Sequence, residues 1–159
     1  MKSVFYWSPC LTKVGTVKST INSAISLSKY SKNEFVVKII NSCGEWDEYQ
    51  NLFKNHNIDM INFRFKYFKY LPKNGFLQSR LSYLIIILFS FFPLLKLLKR
   101  EKPEFIIMHL ITSLPMILNN LFKFNTKFIL RISGFPKLTY FRSILWKISS
   151  NSIFKITCP

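Results

Sequence analysis

Six short apolar runs, separated by stretches of helical spacing, constrain this chain more than any other feature: Val4–Trp7, Phe35–Ile40, Asp59–Phe63, Phe105–His109, Lys127–Ile132 and Ser152–Thr157. Near-continuous apolar runs fit strands covered on both faces. Strands that alternate with helices build a doubly wound sheet. The expected fold is therefore α/β, a mostly parallel, Rossmann-like sheet of about six strands with helices on both faces. Ligands in such a layout collect beyond the carboxyl ends of the strands. Chemistry is expected in the loops after Trp7, His109 and Ile132.

The chain has 159 residues, enough for one core, and is read as one domain over 1–159. It stops at Ile156-Thr157-Cys158-Pro159, directly after the sixth run. From that pattern it is expected to be one lobe of a larger protein or a truncated product. Lys and Arg number 23 against 7 Asp and Glu, a net charge of +16. Such charge attracts polyanions, whether nucleic acid, anionic lipid or phosphorylated substrate. Nucleotide bias toward Lys, Asn, Ile and Phe codons competes as a cause, although it does not obviously deplete Glu.

The acids are Glu34, Glu45, Asp47, Glu48, Asp59, Glu101 and Glu104, with none beyond. Carboxylate chemistry in the last third would have to borrow its acid. Cys10, Cys43 and Cys158 are scattered and form no CxxC, so neither a disulfide framework nor a zinc site is expected. That usage suits a cytoplasmic location, and since Met1-Lys2-Ser3 leads straight into a strand, no secretory signal is expected.

Between the first two strands, Val17, Ile21, Ala24 and Ile25 recur at helical spacing, with Gly15-Thr16 at the helix start. Glu45 to Asn55 reads as a polar helix with acids in its first turn. Residues 64–80 break the rhythm: Arg64, Lys66, Tyr67, Lys69, Tyr70 and Lys73 interleave cations with aromatic rings. That composition suits single-stranded nucleic acid, a membrane interface, or a loop whose rings pack back on the core.

Leu81 to Leu98 is the most apolar stretch, interrupted by Pro93 and Lys96. It approaches the length of a spanning helix. Basic residues flank it on both sides, without the asymmetry a span usually shows. Shallow membrane contact and a core crossover helix are the competing readings. Ser113 and Pro115 open the following helix, and Tyr140 to Ser150 forms the last one.

Phosphate-loop, dinucleotide-fingerprint and nucleophile-elbow motifs are absent, and no metal-ligand cluster or cofactor signature is present. What remains is a rim of strand-end loops: Gly15 and Thr16 after the first strand, His109 after the fourth, and Arg131, Ser133 and Gly134 around the end of the fifth. Backbone amides at helix starts suit phosphate. An imidazole suits hydroxyl activation or phosphate contact, which makes His109 the one candidate catalytic group.

Taken in order, these residues resemble the N-terminal lobe of GT-B glycosyltransferases of the group 1, subfamily 4-like type. Ser8-Pro9 through Gly15 resembles that family's opening strand, proline-bearing loop and glycine before the first helix. Pro103-Glu104-Phe105-Ile106-Ile107-Met108-His109 is similar to its strand ending in His-x-His, with Ile107 in place of the first His. Arg131-Ile132-Ser133-Gly134 stands where a hydrophobic-x-His-Gly motif is common, with Ser133 in place of His.

The resemblance implies transfer of a sugar from a nucleotide-sugar donor to a lipid-linked or polysaccharide acceptor in cell-surface glycan synthesis. This chain would form the acceptor-side lobe, and the donor would bind mainly on a second, C-terminal lobe. It implies that Gly15 and Thr16 lie beside the donor's phosphates, while His109, Ser133 and Gly134 face the reacting sugar. The cations and rings from Arg64 to Lys73, together with the apolar stretch Leu81 to Leu98, would then dock beside anionic lipid and an isoprenoid-phosphate acceptor at the inner face of the membrane. Attraction there is worth about 1 kcal/mol per Lys or Arg. Two other classes stay open: a basic nucleic-acid-binding module using Arg64 to Lys73, and a small membrane protein anchored by Leu81 to Leu98.

Overall fold

The computed structural model describes residues 2–12, 15–31, 34–73, 75–109, 114–132, 140–150 and 152–157. All six apolar runs form strands: β1 Lys2–Trp7, β2 Phe35–Asn41, β3 Asp59–Asn62, β4 Phe105–Met108, β5 Lys127–Arg131 and β6 Ile153–Thr157. Helices α1 Gly15–Tyr30, α2 Gln50–Asn55, α3 Phe76–Glu101, α4 Leu114–Phe122 and α5 Tyr140–Ser150 lie between them. The strands form one sheet in the order β3-β2-β1-β4-β5-β6, and every pairing is parallel. This is the doubly wound, Rossmann-like arrangement expected from the sequence.

Side chains on successive strand residues point to opposite faces, so each strand feeds two cores. Val4 and Tyr6 of β1 join Val37, Ile39 and Ile107 under Val17, Ile21 and Ala24 of α1 and Phe53 of α2. Phe5 and Trp7 turn the other way, with Ile106, Met108, Phe128 and Leu130, onto α3 and α4. Tyr6 also locks α1 down, through a 2.9 Å hydrogen bond between its hydroxyl and Ser23 Oγ.

Glu45–Asn55 is not one helix. Gly44 takes a φ of +101°, and the Asn41 side-chain oxygen accepts the amides of Gly44 and Trp46, which holds a turn in place of a first helical turn. Glu45 folds back inside that turn and accepts Ser42 N, Ser42 Oγ and Cys43 N at 3.0, 2.7 and 2.8 Å. Helical structure begins only with a 3-10 turn at Asp47–Tyr49 and runs on as α2. Local side-chain bonds to the backbone outcompeted the helix here.

Helix α3 contains the whole Leu81 to Leu98 stretch and continues through Pro93. By length and composition it could cross a membrane, yet Ile86, Leu94 and Leu98 on one side are almost fully buried against the sheet. It is a core helix with a second, uncovered side. Leu94→Ala is expected to cost about 2–5 kcal/mol in urea unfolding, the usual cost of a large-to-small change in a packed core. Leu84→Ala, on the exposed side, is expected to stay within about 0.5 kcal/mol.

Candidate functional site

The register of the sheet assembles the rim. Trp7 pairs with Met108, and Met108 with Leu130. Ser8, His109 and Arg131 therefore occupy the next row up. Tyr6, Ile107 and Ile129 belong to the α1 face, so by two-residue alternation the three residues two positions further on return to that face. Beyond β1 the chain turns to α1 on one face; beyond β4 it goes to α4 on the other. Connections that part between neighbouring strands mark a switch point, and the crevice at the carboxyl ends there is the usual ligand position in such sheets.

Thr20 is the hub of that crevice. It is fully buried, one turn after Thr16 on α1, and its hydroxyl lies 2.9 Å from both Thr16 O and His109 Nε2 and 3.3 Å from Ser8 Oγ. A hydroxyl has one proton, and a carbonyl can only accept. When that proton goes to Thr16 O, His109 Nε2–H donates to Thr20 and the Nδ1 lone pair is left available. Arg131 completes the row, with Nη1 donating to Ser19 O at 3.4 Å.

Burial first, and the Arg131 guanidinium second, hold the His109 pKa down from 6.5 to about 4. The imidazole is thus neutral at neutral pH and offers hydrogen bonds, while Arg131 carries the positive charge. Tyr6, beside the same guanidinium, has its pKa raised chiefly by burial, with Ser23 and Arg131 pulling the other way. Cys10, 3.3 Å from Ser8 Oγ, is likewise pushed up, mainly by burial. Gly15 opens α1, and a Cβ built there would meet nothing within 4 Å. The backbone at the helix start is therefore open to approach.

Gly15, Thr16, His109 and Arg131 thus lie around one crevice, while Ser133 and Gly134 fall outside the described residues. Thr20, Ser8 and Ser19 were missed by the sequence reading. The signal for Thr20 was a hydroxyl within the apolar stripe of α1; for Ser8, the alternation Val4, Tyr6, Ser8.

The interleaved segment lies elsewhere and divides its residues. Tyr67 turns inward, its ring 5.3 Å from that of Phe89, and burial pushes its pKa up to about 12. Lys66 pairs with Asp47 at 3.0 Å, and Lys73 sits 3.8 Å over the Phe68 ring. Arg64, Lys69 and Tyr70 are exposed. No group of His, Cys, Asp and Glu that could hold a metal ion occurs among the described residues. A shallow depression of about 420 Å³, lined by Lys99, Lys102, Glu104, Phe122 and Lys123 among others, lies at the opposite edge of the sheet, where strands begin.

No protein-family model matches the chain, and no curated protein matches it. Solved structures do. UGT73P12 of Glycyrrhiza uralensis, complexed with glycyrrhetinic acid 3-O-monoglucuronide, superposes with a TM-score of 0.59 over 84% of this chain at 13% identity. MurG of Acinetobacter baumannii superposes at 0.54 over 98% of the chain at 12% identity. Both are GT-B glycosyltransferases. The fold is GT-B-like. The chain spans only 28% and 40% of the lengths of these two neighbours.

A depressed histidine pKa has a defined pH signature. Between pH 6.5 and about 4 the unfolded chain binds a proton at His109 that the folded chain refuses. Its contribution to stability is complete above pH 6.5 and is lost as pH falls toward 4. Histidine-detected NMR should show the His109 ring neutral down to that range, and His109→Gln should flatten this part of the stability profile. A ring that titrates at or above 6.5 would contradict the site as described.

Proposed function

We propose that this chain is the acceptor-side lobe of a glycosyltransferase, acting with a donor-binding lobe to move a sugar from a nucleotide-sugar to a lipid-linked or polysaccharide acceptor in cell-surface glycan synthesis. The observation that carries the reading is the juxtaposition of Thr20, His109 and Arg131 at the switch point of a GT-B-like sheet. The sequence resemblance supports this class of enzyme, and the GT-B-like fold is the one the class requires.

Each residue has a part suited to its chemistry. Arg131, with the open amides at Gly15 and Thr16, offers positive charge to a phosphate, and such preorganised groups stabilise developing charge most where water is excluded. His109, neutral and held at Nε2 by Thr20, orients a sugar or acceptor hydroxyl through Nδ1. A pKa near 4 makes it a weak proton acceptor at pH 7. Orientation is therefore its main contribution until an anion binds. A phosphate at Arg131 would offset the guanidinium's charge and let the imidazole rise toward the working pH.

That coupling supplies the test. Adding a short-chain isoprenyl phosphate should raise the His109 titration midpoint by NMR, and Arg131→Ala should weaken binding about tenfold, as loss of one charge-assisted contact does. No change in the midpoint at saturating ligand would sink the reading, as would an oligonucleotide that perturbs the same residues more strongly. With a labelled nucleotide-sugar, turnover by this chain alone is expected at background.

A further inference from the structure

Helix α3 has two apolar sides, and the sheet uses only one. Ser82, Ile86, Ser90, Leu94 and Leu97 face inward and are buried. On the opposite side Leu77, Leu81, Leu84, Leu88 and Phe92 recur at four- and three-residue spacing, each between 52% and 77% exposed. At 1.5 Å per residue this row runs about 22 Å. Phe89, also exposed, widens it, and the Phe65 ring packs edge-on against Phe89 at 6.4 Å. A continuous exposed strip of this kind marks an interaction surface.

Charge selects the occupant. Between Met60 and Arg100 the sequence contains no Asp or Glu, while Arg64, Lys69, Lys96 and Lys99 stand exposed along the same segment. A second copy seated on this row would bring like charges together, which opposes association. An apolar row with basic margins matches a helix lying in the boundary between lipid headgroups and acyl chains. A spanning orientation conflicts with the buried side, since Leu94 and Leu98 would have to leave the sheet.

We propose that α3 docks lengthwise on an anionic phospholipid bilayer, with the Leu77-to-Phe92 row in the acyl boundary and the flanking cations among the headgroups. The geometry brings that bilayer to the rim. α3 leads from the end of β3 to the start of β4, so it runs against the strands. Its 26 residues extend about 39 Å, whereas the 7 residues of β2 extend about 23 Å. The difference overhangs the carboxyl ends of the strands. Tyr83, in this overhanging half, packs against the core cluster that includes Leu11 of the loop after β1. The docked row would thus bring the carboxyl edge of the sheet toward the lipid surface, with Ser8, His109 and Arg131 reached across that edge from the α1 face.

Flotation of the full chain tests this with vesicles of phosphatidylcholine alone or mixed with phosphatidylglycerol. At low salt the bound fraction should be about tenfold higher on the mixed vesicles. The double variant Leu84→Asn, Phe92→Ser should lose about tenfold in binding while keeping the wild-type circular dichroism and thermal midpoint, since both side chains are exposed. Lys96→Glu with Lys99→Glu should remove the preference for phosphatidylglycerol.

Wild-type protein that stays at the bottom of the gradient would overturn the proposal. So would undiminished flotation of the Leu84/Phe92 variant. A dimer that this variant dissociates, with no vesicle binding, would assign the row to a second copy instead. The assay contains no sugar or nucleotide, so its failure leaves the sugar-transfer reading untouched, and the reverse holds as well.

Discussion

Parallel pairing on both sides of β1 is the constraint on which the rest depends. With β2 on one flank and β4 on the other, the strands end in register, and Ser8, His109 and Arg131 fall in one row. A slip of β4 by a single residue would turn His109 to the α3 face and remove it from Thr20. The apolar alternation that fills two cores also specifies the polar row at the rim. Tyr6 ties the two together: its ring is core on the α1 face, its hydroxyl is bonded to Ser23, and the charge of Arg131 reaches it.

Among the described residues the crevice is polar, and Arg131 is its prominent cation. No acid follows Glu104 in the sequence. Glu45, whose charge reaches Cys10, is already held by three hydrogen bonds to Ser42 and Cys43. The proposed chemistry would therefore depend on orientation and on positive charge facing a phosphate, without a carboxylate in the described part of the rim. In the proposed transfer, negative charge would build on a leaving diphosphate, and fixed positive charge stabilises such a group.

Much of this was legible in the sequence because burial on both faces leaves a plain apolar run, and all six runs became strands. Gly15, His109 and Arg131 were legible as strand-end residues for the same reason. Thr20 and Ser8 were not, because a lone hydroxyl in an apolar pattern looks the same whether it meets water or a partner across the sheet. The turn at Asn41–Trp46 was misread because side-chain bonds to backbone amides, invisible to periodicity, replaced the first helical turn. Leu81 to Leu98 stayed ambiguous for a related reason. Apolar residues all round a helix show that it lacks water-facing chemistry, but only packing shows which side meets the core.

The most direct test of the account is an NMR cross-relaxation measurement between the Thr20 γ-methyl and the His109 ring protons. A strong cross-peak is predicted, because the Thr20 hydroxyl and His109 Nε2 lie 2.9 Å apart although the residues are 89 positions apart in sequence. Its absence in folded protein would show that β1 and β4 do not deliver their ends to a common crevice.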